Sequence, residues 1–391
     1  MNDIEKILIS ILAISSCIAL SHFICKYKKY QYSTDNARFG FIDGLRGYLA
    51  LGVFIHHFVI TYAWKTSGAW VAPNEAYFNH FGNAGVAVFF MITGFLFTRK
   101  ILDSGTNINW NKIFISRVFR IFPLYIACLF LIVLFVALQS NFVSYSTFSQ
   151  LLTDVSRWLL YTGGSINGYA DTSKIIASVD WTLKYEWFFY LMLPVLALVM
   201  RSKIVTTIAC IVVVVGAMAP YQIGLLVWSF MWQLSSFFLI FFLLGGLTAK
   251  LSKLNMGIDK HIDHPLISIL ALAFLVGLFL GFDTSFGFYQ SLLLTGFFIP
   301  IALGNSLFGL LRMNFSKFMG EISYSIYLLH GLVLFILFTL IFPNFLGSTS
   351  EATYMLLMPL VAVLIILCSW ATFYYIEKPM MMLGKTIANK P

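Results

Sequence analysis

The chain alternates between long apolar runs and short polar tracts, and the polar tracts take turns in carrying positive charge. The apolar runs Ile4–Ile24, Leu45–Tyr62, Gly85–Thr98, Ile121–Leu138, Trp181–Met200, Ile204–Ala219, Gly224–Leu247, Leu266–Phe282, Phe288–Leu311, Ile322–Phe342 and Tyr354–Tyr375 predict helices that cross a bilayer. A helix rises 1.5 Å per residue, so about 20 residues span a hydrocarbon core of roughly 30 Å. Every second polar tract carries lysine or arginine: Lys26, Lys28 and Lys29; Arg99 and Lys100; Arg201 and Lys203; Lys250, Lys253 and Lys260; Arg312 and Lys317; Lys378 and Lys385. Basic residues gather on the cytoplasmic side of membrane proteins, which predicts an N-terminus outside and a C-terminus in the cytoplasm. The fold class expected is an all-α, polytopic transmembrane helical bundle.

Two stretches depart from this rhythm. Between Gln139 and Asp180 the chain runs too far for a passive connection. Leu151, Leu152, Val155, Trp158 and Leu159 recur there at helical spacing and predict a helix lying on the membrane surface. The glycine-rich tract YTGGSINGYADTS follows, placed to cover or line an entrance on the outer face.

Composition agrees with the pattern. Of 391 residues, 60% are hydrophobic and 10% charged, against about 25% charged in soluble domains. The formal charge of +9 is distributed as membrane topology requires and does not point to nucleic acid. Cys17, Cys25, Cys128, Cys210 and Cys368 lie in or beside apolar runs without the spacing of metal ligands, and read as small buried residues rather than zinc or disulfide partners.

Chemistry must then come from ionisable groups inside the spans, which are costly there and usually face a cavity. Four stretches carry them. FIDGLRGYLALGVFIHHFV places Arg46 at the basic end of a span, with His56 and His57 deep inside it; Arg46 and His57 are about 16 Å apart along the axis. A buried histidine can take a proton from a hydroxyl, or simply pack with both ring nitrogens satisfied. Successive side chains diverge by about 100°, so His56 and His57 cannot share one cavity equally. SRVFRIFPLY sets Arg117 and Arg120 on one helix face, suited to phosphate recognition or to anchoring at headgroups. VDWTLKYEWFFYLMLP brings Asp180, Lys184 and Glu186 into an aromatic span; Glu186 could orient an imidazole, or with Lys184 mark a wet interface. GEISYSIYLLHG puts Tyr324, Tyr327 and His330 in a polar stripe beside Ser323, lining a cavity or packed. The closing FYYIEKP reads as a structural stop, with Glu377 ahead of Pro379.

Together FIDGLRGYLALGVFIHH, GVAVFFMITGFLF, RVFRIFPLY, DWTLKYEWFFYLMLP, SYSIYLLH and YYIEKP, in this order, resemble the signature blocks of membrane-bound acyltransferase family 3, bacterial O-acyltransferases of surface polysaccharides. The resemblance covers about Phe41 to Pro379. It implies a ten-helix acyltransferase core at 41–379; the apolar run and basic tract at 1–40 read, from their own pattern, as a transmembrane anchor and cytoplasmic linker, and 380–391 as a cytoplasmic tail. It also implies transfer of an acyl group, commonly acetyl, from cytoplasmic acetyl-CoA to a sugar hydroxyl of an envelope glycan such as lipopolysaccharide O-antigen or a lipid-linked sugar, in the inner membrane and without a metal. By the family's motifs Arg46 pairs with His57 rather than His56. Arg117 and Arg120 fall to coenzyme A, and Glu186 falls in the aromatic–acidic block. The expected roles are His57 as base or transient acyl carrier, Glu186 as its orienting acid, Arg117 and Arg120 on donor phosphates with Arg46, and His330, Tyr327, Ser323 and Lys184 as lining.

Three departures from the family pattern stand out. Thr93 replaces a frequent serine, a further N-terminal span precedes the core, and the soluble esterase-like domain of some members is absent, which leaves room for a separate periplasmic transfer partner. The rival functions are a transporter or flippase of a glycan intermediate, which would use the same charges as a path but usually shows inverted repeats, and a structural partner in glycan assembly that binds no donor.

Overall fold

A computed structural model describes residues 1–28, 40–105, 107–201, 236–254 and 261–389. Among the described residues every regular element is helical. The long apolar helices are α1 (Asp3–Tyr27), α2 (Gly40–Ser67), α3 (Ala76–Ser104), α4 (Trp110–Gln139) and, after the short amphipathic α5 (Phe148–Leu159), α6 (Trp181–Arg201). They are followed by α7 (Ser236–Leu251), α8 (Pro265–Gly281), α9 (Phe288–Leu303), α10 (Asn314–Glu321), α11 (Ser323–Phe335), α12 (Met358–Thr372) and α13 (Lys378–Ala388). Helices long and apolar enough to cross a membrane occur at Asp3–Tyr27, Gly40–Ser67, Ala76–Ser104, Trp110–Gln139, Trp181–Val199, Ser323–Ile341 and Glu351–Ala388, with shorter apolar helices at Phe238–Leu251, Pro265–Gly281 and Phe288–Leu303. The chain is a multi-pass, all-α membrane bundle. The expected span Ile204–Ala219 and the first half of Gly224–Leu247 lie outside the described residues.

The ends of the spans differ from the apolar runs for identifiable reasons. Helix α4 begins eleven residues before Ile121 because Asn109 caps it, accepting from the Lys112 amide at 2.9 Å. Arg117 and Arg120 therefore lie inside the helix and not ahead of it. The run Phe288–Leu311 is cut at Gly304, whose φ of 123° few other residues could adopt. A separate helix, α10, then leads into α11. The last run passes into a π-helical stretch at Phe373–Glu377, which changes the phase of the helix and turns Glu377 inward, where it is fully buried.

Helix α11 is buried along its entire length, from Ser323 to Phe335, and forms the axis of the bundle. Helix α2 packs on α3, α10 and α11, while α1 packs on α12 and α10. The closest pairing is α3 with α7, made by two glycines facing opposite ways across one crossing. A Cβ on Gly94 would overlap the Phe242 carbonyl, and one on Gly245 the Met91 carbonyl. Membrane helices associate through such small residues because lipid offers no hydrophobic drive between them.

The loops at this end of α1 are tied down by charge. Lys6 of α1 is buried and bonds both Glu75, at the start of α3, and Glu351, each at 2.5 Å. Helix α5 keeps Phe148 and Leu152 exposed and buries Trp158, whose Nε1 donates to the Gly164 carbonyl at 3.0 Å. The glycine-rich tract then closes into a 3-10 turn, Thr172–Ile176, against α11. It leaves that turn through Ala177 and Ser178, both left-handed at φ 53° and 56°. Such backbone persists only where its surroundings enforce it; here Gly331 of α11 lies against Ile176 and Ala177 so closely that no Cβ would fit.

Asp180 ends this loop one residue ahead of α6 and is 5% exposed. Burial pushes its carboxyl from 3.8 up to about 6, opposed by its own backbone amide and by Lys184. A raised acid binds its proton more tightly folded than unfolded, so stability is highest below the unfolded pKa and falls as pH rises through the window between 3.8 and 6. Asp180→Asn is expected to raise the thermal midpoint at pH 7.5 and to raise it less at pH 4.5, by differential scanning fluorimetry in detergent. At the α3–α7 crossing, Gly245→Leu is expected to abolish the monodisperse peak in size-exclusion chromatography, at a cost above the roughly 1–3 kcal/mol of ordinary overpacking. Gly277→Leu, where an added Cβ meets nothing within 4 Å, is expected to be tolerated.

Candidate active site

Two histidines from distant parts of the chain meet between α2 and α11. His57 Nδ1 and His330 Nε2 are 3.1 Å apart, with ring centroids 5.0 Å apart. Their partners decide the tautomers. His330 Nδ1 lies 3.1 Å from the Ile326 carbonyl, which can only accept, so Nδ1 carries the proton and Nε2 is an acceptor. His57 Nδ1 faces that acceptor and also the Val53 carbonyl at 3.0 Å, so it too is protonated and its hydrogen is shared. In the neutral ring His57 Nε2 then carries the lone pair. A neutral imidazole held by Nδ1–H with Nε2 unprotonated is the form that accepts a proton or attacks a carbonyl. Over this ring Trp70 stacks at 6.2 Å.

His56 points elsewhere. Its Nδ1 is 3.0 Å from the Phe78 carbonyl, and its ring lies so close to Gly82 that an added Cβ would come within 2.5 Å. It is a packing residue between α2 and α3.

Towards the other end of α2 a cavity of about 80 Å³ opens between α2, α3, α4, α6 and α11. One water needs roughly 10–15 Å³, so the space takes a few waters or the acyl end of a thioester, not a nucleotide. Its polar wall includes Arg46, Arg117, Arg120, Glu186, Tyr190 and Ser323. Arg117 and Arg120 face it together because they are three apart on α4, and Glu186 and Tyr190 because they are four apart on α6. The Tyr190 hydroxyl donates to Glu186 Oε2 at 2.8 Å and lies close to the Arg117 guanidinium. The Arg117 guanidinium lies 5.4 Å from the centre of the Phe97 ring, and Arg46 Nη1 is 3.6 Å from Asp43 Oδ1. Ser323 Oγ, fully buried on this wall, has no hydrogen-bond partner, and a buried hydroxyl in that state costs free energy until a ligand satisfies it.

Tyr327 belongs to both regions. It lines the cavity, while its ring centre is 6.2 Å from His330 and 6.0 Å from Phe89. Its hydroxyl is fixed by Thr182 Oγ1 at 2.8 Å and the Val179 carbonyl at 3.2 Å. His57 is not on the cavity wall, so this ring partitions the arginine-lined space from the histidine pair.

The structure thus brings Arg46, Arg117, Arg120, Glu186, Ser323 and Tyr327 to one cavity, and His57 and His330 to a second position beyond Tyr327. The expected pairing of Glu186 with His57 is not made: Glu186 is engaged with Tyr190 among the arginines, and the imidazole of His57 is held by His330. Lys184 is off the cavity wall, directed along α6 with its ammonium 5.8 Å from the Tyr185 ring.

Glu377, read from sequence as part of a helix stop, is the residue that reading passed over. It is fully buried, accepts a hydrogen bond from Ser325 Oγ, keeps Oε2 without a partner and lies within the electrostatic reach of Arg120 and Arg46. A signal was present, because guanidinium groups inside a membrane require anions beside them and Glu186 is a single carboxylate. No group of three or more His, Cys, Asp or Glu stands together as metal ligands among the described residues.

Comparison with curated proteins yields no match, and comparison with solved structures yields none. A family model described as an acyltransferase domain matches residues 39–374, an interval that holds every residue of the cavity and both histidines of the pair. The chain belongs to the acyltransferase 3 family and is a membrane-bound acyltransferase.

Proposed function

We propose that this acyltransferase moves an acetyl group from cytoplasmic acetyl-CoA to a sugar hydroxyl of an envelope polysaccharide, such as lipopolysaccharide O-antigen, in the bacterial inner membrane. The observation that supports the reading is the placement of an arginine-lined cavity and a hydrogen-bonded histidine pair on either side of Tyr327.

Each half suits one substrate. Guanidinium groups bind phosphate through paired N–H donors, so Arg117 and Arg120 hold the donor's diphosphate where the cavity opens, with Arg46 further along the wall. Ser323 Oγ donates to a carbonyl of the arm that enters. Glu186 and Glu377 balance the guanidinium charge and, through Tyr190, fix the position of Arg117. On the far side, His57 Nε2 takes the proton of the acceptor hydroxyl as its oxygen attacks the thioester carbonyl. The carbon–sulfur bond then breaks, and the proton passes from the imidazolium to the departing thiolate. His330 positions His57 through the shared Nδ1–H and spreads the charge that His57 gains. If His57 Nε2 attacks the carbonyl first, the same groups serve and the acetyl group rests on the ring before reaching the sugar. An acceptor glycan, surrounding lipid and, for export beyond the membrane, a separate periplasmic transfer partner are the components this reading calls for.

Labelled acetyl-CoA supplied to inverted vesicles carrying the chain is expected to label envelope glycan; unlabelled glycan with uptake of intact donor or glycan would favour a transporter instead. His57→Ala is expected to lower transfer by at least the roughly 10²–10⁴-fold supplied by a general base, in a protein with unchanged chromatographic behaviour. His330→Leu is expected to lower kcat with little change in the KM for donor, and His330→Asn, which keeps an acceptor for the Nδ1–H of His57, to recover part of the loss. Arg117→Lys with Arg120→Lys is expected to do the reverse, raising the donor KM because an ammonium cannot form the fork of two hydrogen bonds.

A further inference from the structure

On the side of His57 away from the cavity, the structure carries an aromatic and cationic platform that the transfer chemistry does not use. Trp70, stacked over His57, meets Trp64 edge to face at 5.4 Å. Trp64 is 8% exposed, with Phe335 of α11 beneath it. Two lysines then converge on Trp64 from different elements. Lys65 of α2 places Nζ 3.9 Å from the ring centre, and Lys174 of the 3-10 turn places Nζ 5.2 Å from it. Asp171 pairs with Lys174 at 2.7 Å and also acts on Lys65 through space. Lys65 makes no ion pair among the described residues. Two ammonium groups thus share one carboxylate, leaving net positive charge beside two indoles and within two ring contacts of the reacting imidazole.

The simpler account of tryptophan and lysine at a span's end is interfacial anchoring. It fits poorly here. Trp64 is enclosed by protein rather than directed to lipid, and both ammonium groups lie over its face instead of reaching outward. In the proposed orientation they also stand on the outer side, where basic residues are scarce.

We infer that Trp70, Trp64, Lys65 and Lys174 form the acceptor subsite and that it selects an anionic sugar, one bearing a carboxylate or phosphate. The inference rests on the proposed function for calling the sugar an acceptor, but the binding itself does not require acyl transfer. A sugar ring lies its C–H face on Trp70, as apolar surface on an aromatic plane. Its anion completes the charge balance of Lys65 and Lys174. A hydroxyl on the stacked ring is then delivered to His57 Nε2, which Trp70 adjoins.

The test is equilibrium binding to the full chain in nanodiscs of zwitterionic lipid, using two labelled tetrasaccharides, one containing glucuronate and its carboxyl-reduced neutral counterpart, without acetyl-CoA. The acidic sugar is expected to bind about tenfold more tightly, a modest value for partly screened charge pairs. Lys65→Gln with Lys174→Gln is expected to erase that preference while leaving the neutral sugar unchanged, and Trp70→Ala to weaken both, with Trp70→Phe recovering part. Equal binding of the two sugars, no binding of either, or a preference that survives the double lysine variant would overturn the inference. So would a double variant whose only effect is lost retention of added phosphatidylglycerol, which would make the lysines lipid anchors. Selective sugar binding together with failed transfer from acetyl-CoA would retain the subsite and remove the proposed reaction.

Discussion

The arrangement depends on how closely helix α2 lies against the short helix α10. Gly320 sits on the Asp43 carbonyl with no room for a Cβ, a Cβ on Gly47 would come within 2.5 Å of that of Met319, and one on Gly44 within 2.5 Å of the Leu311 carbonyl. Contact of backbone with backbone leaves little freedom to rotate or slide. The face of α2 that carries Arg46 and His57 is therefore set with respect to α10. Because α11 starts two residues after α10 ends, His330 and Ser323 are set by the same contact. A shift of one residue along α2 would turn it by about 100° and move His57 off His330 and Arg46 out of the cavity together.

With that geometry fixed, the electrostatic problem becomes local. Arg46, Arg117 and Arg120 approach one space in which an isolated charge would be expensive. Glu186, Glu377 and Asp43 offset them, and Tyr190 and Ser325 carry hydrogen bonds to the carboxylates. The histidine pair is held differently, each ring donating Nδ1–H to a carbonyl of its own helix. The guanidinium cluster and the histidine pair can coexist in apolar surroundings because Arg46 and His57 occupy different turns of α2.

Much of the bundle was legible in the sequence because a membrane leaves few choices: each apolar run long enough to cross must be helical to satisfy its backbone. The shared face of Arg117 and Arg120 and the separation of Arg46 from the histidines were legible from spacing along one helix, whereas the choice of His57 over His56 came from the family resemblance. What spacing could not give was the company each residue keeps across helices. Glu186 is an acid in an aromatic span and His330 a histidine in another, and no periodicity says which of them reaches His57; packing of α2 on α11 decided it. Glu377 was hidden because a proline two residues later suggested a helix end, whereas the π-helical turn at Phe373–Glu377 carries the helix onward and rotates the carboxylate inward. Tyr327 was visible as part of a polar stripe, but its position between the cavity and the histidine pair exists only in three dimensions.

The tyrosine partition also bears on the membrane as an insulator. From Arg46 through the cavity to His330 and His57 the bundle contains a line of polar groups that covers about half of a hydrocarbon core. A transmembrane potential is worth about 2.3 kcal/mol per charge for each 100 mV, so a water-filled line of this kind would thin the barrier that holds protons back. The Tyr327 ring, held by Thr182 and the Val179 carbonyl and flanked by Phe89, interrupts the line where its two halves meet. An aromatic ring tied at its hydroxyl is therefore an apolar obstacle set in the middle of a polar path.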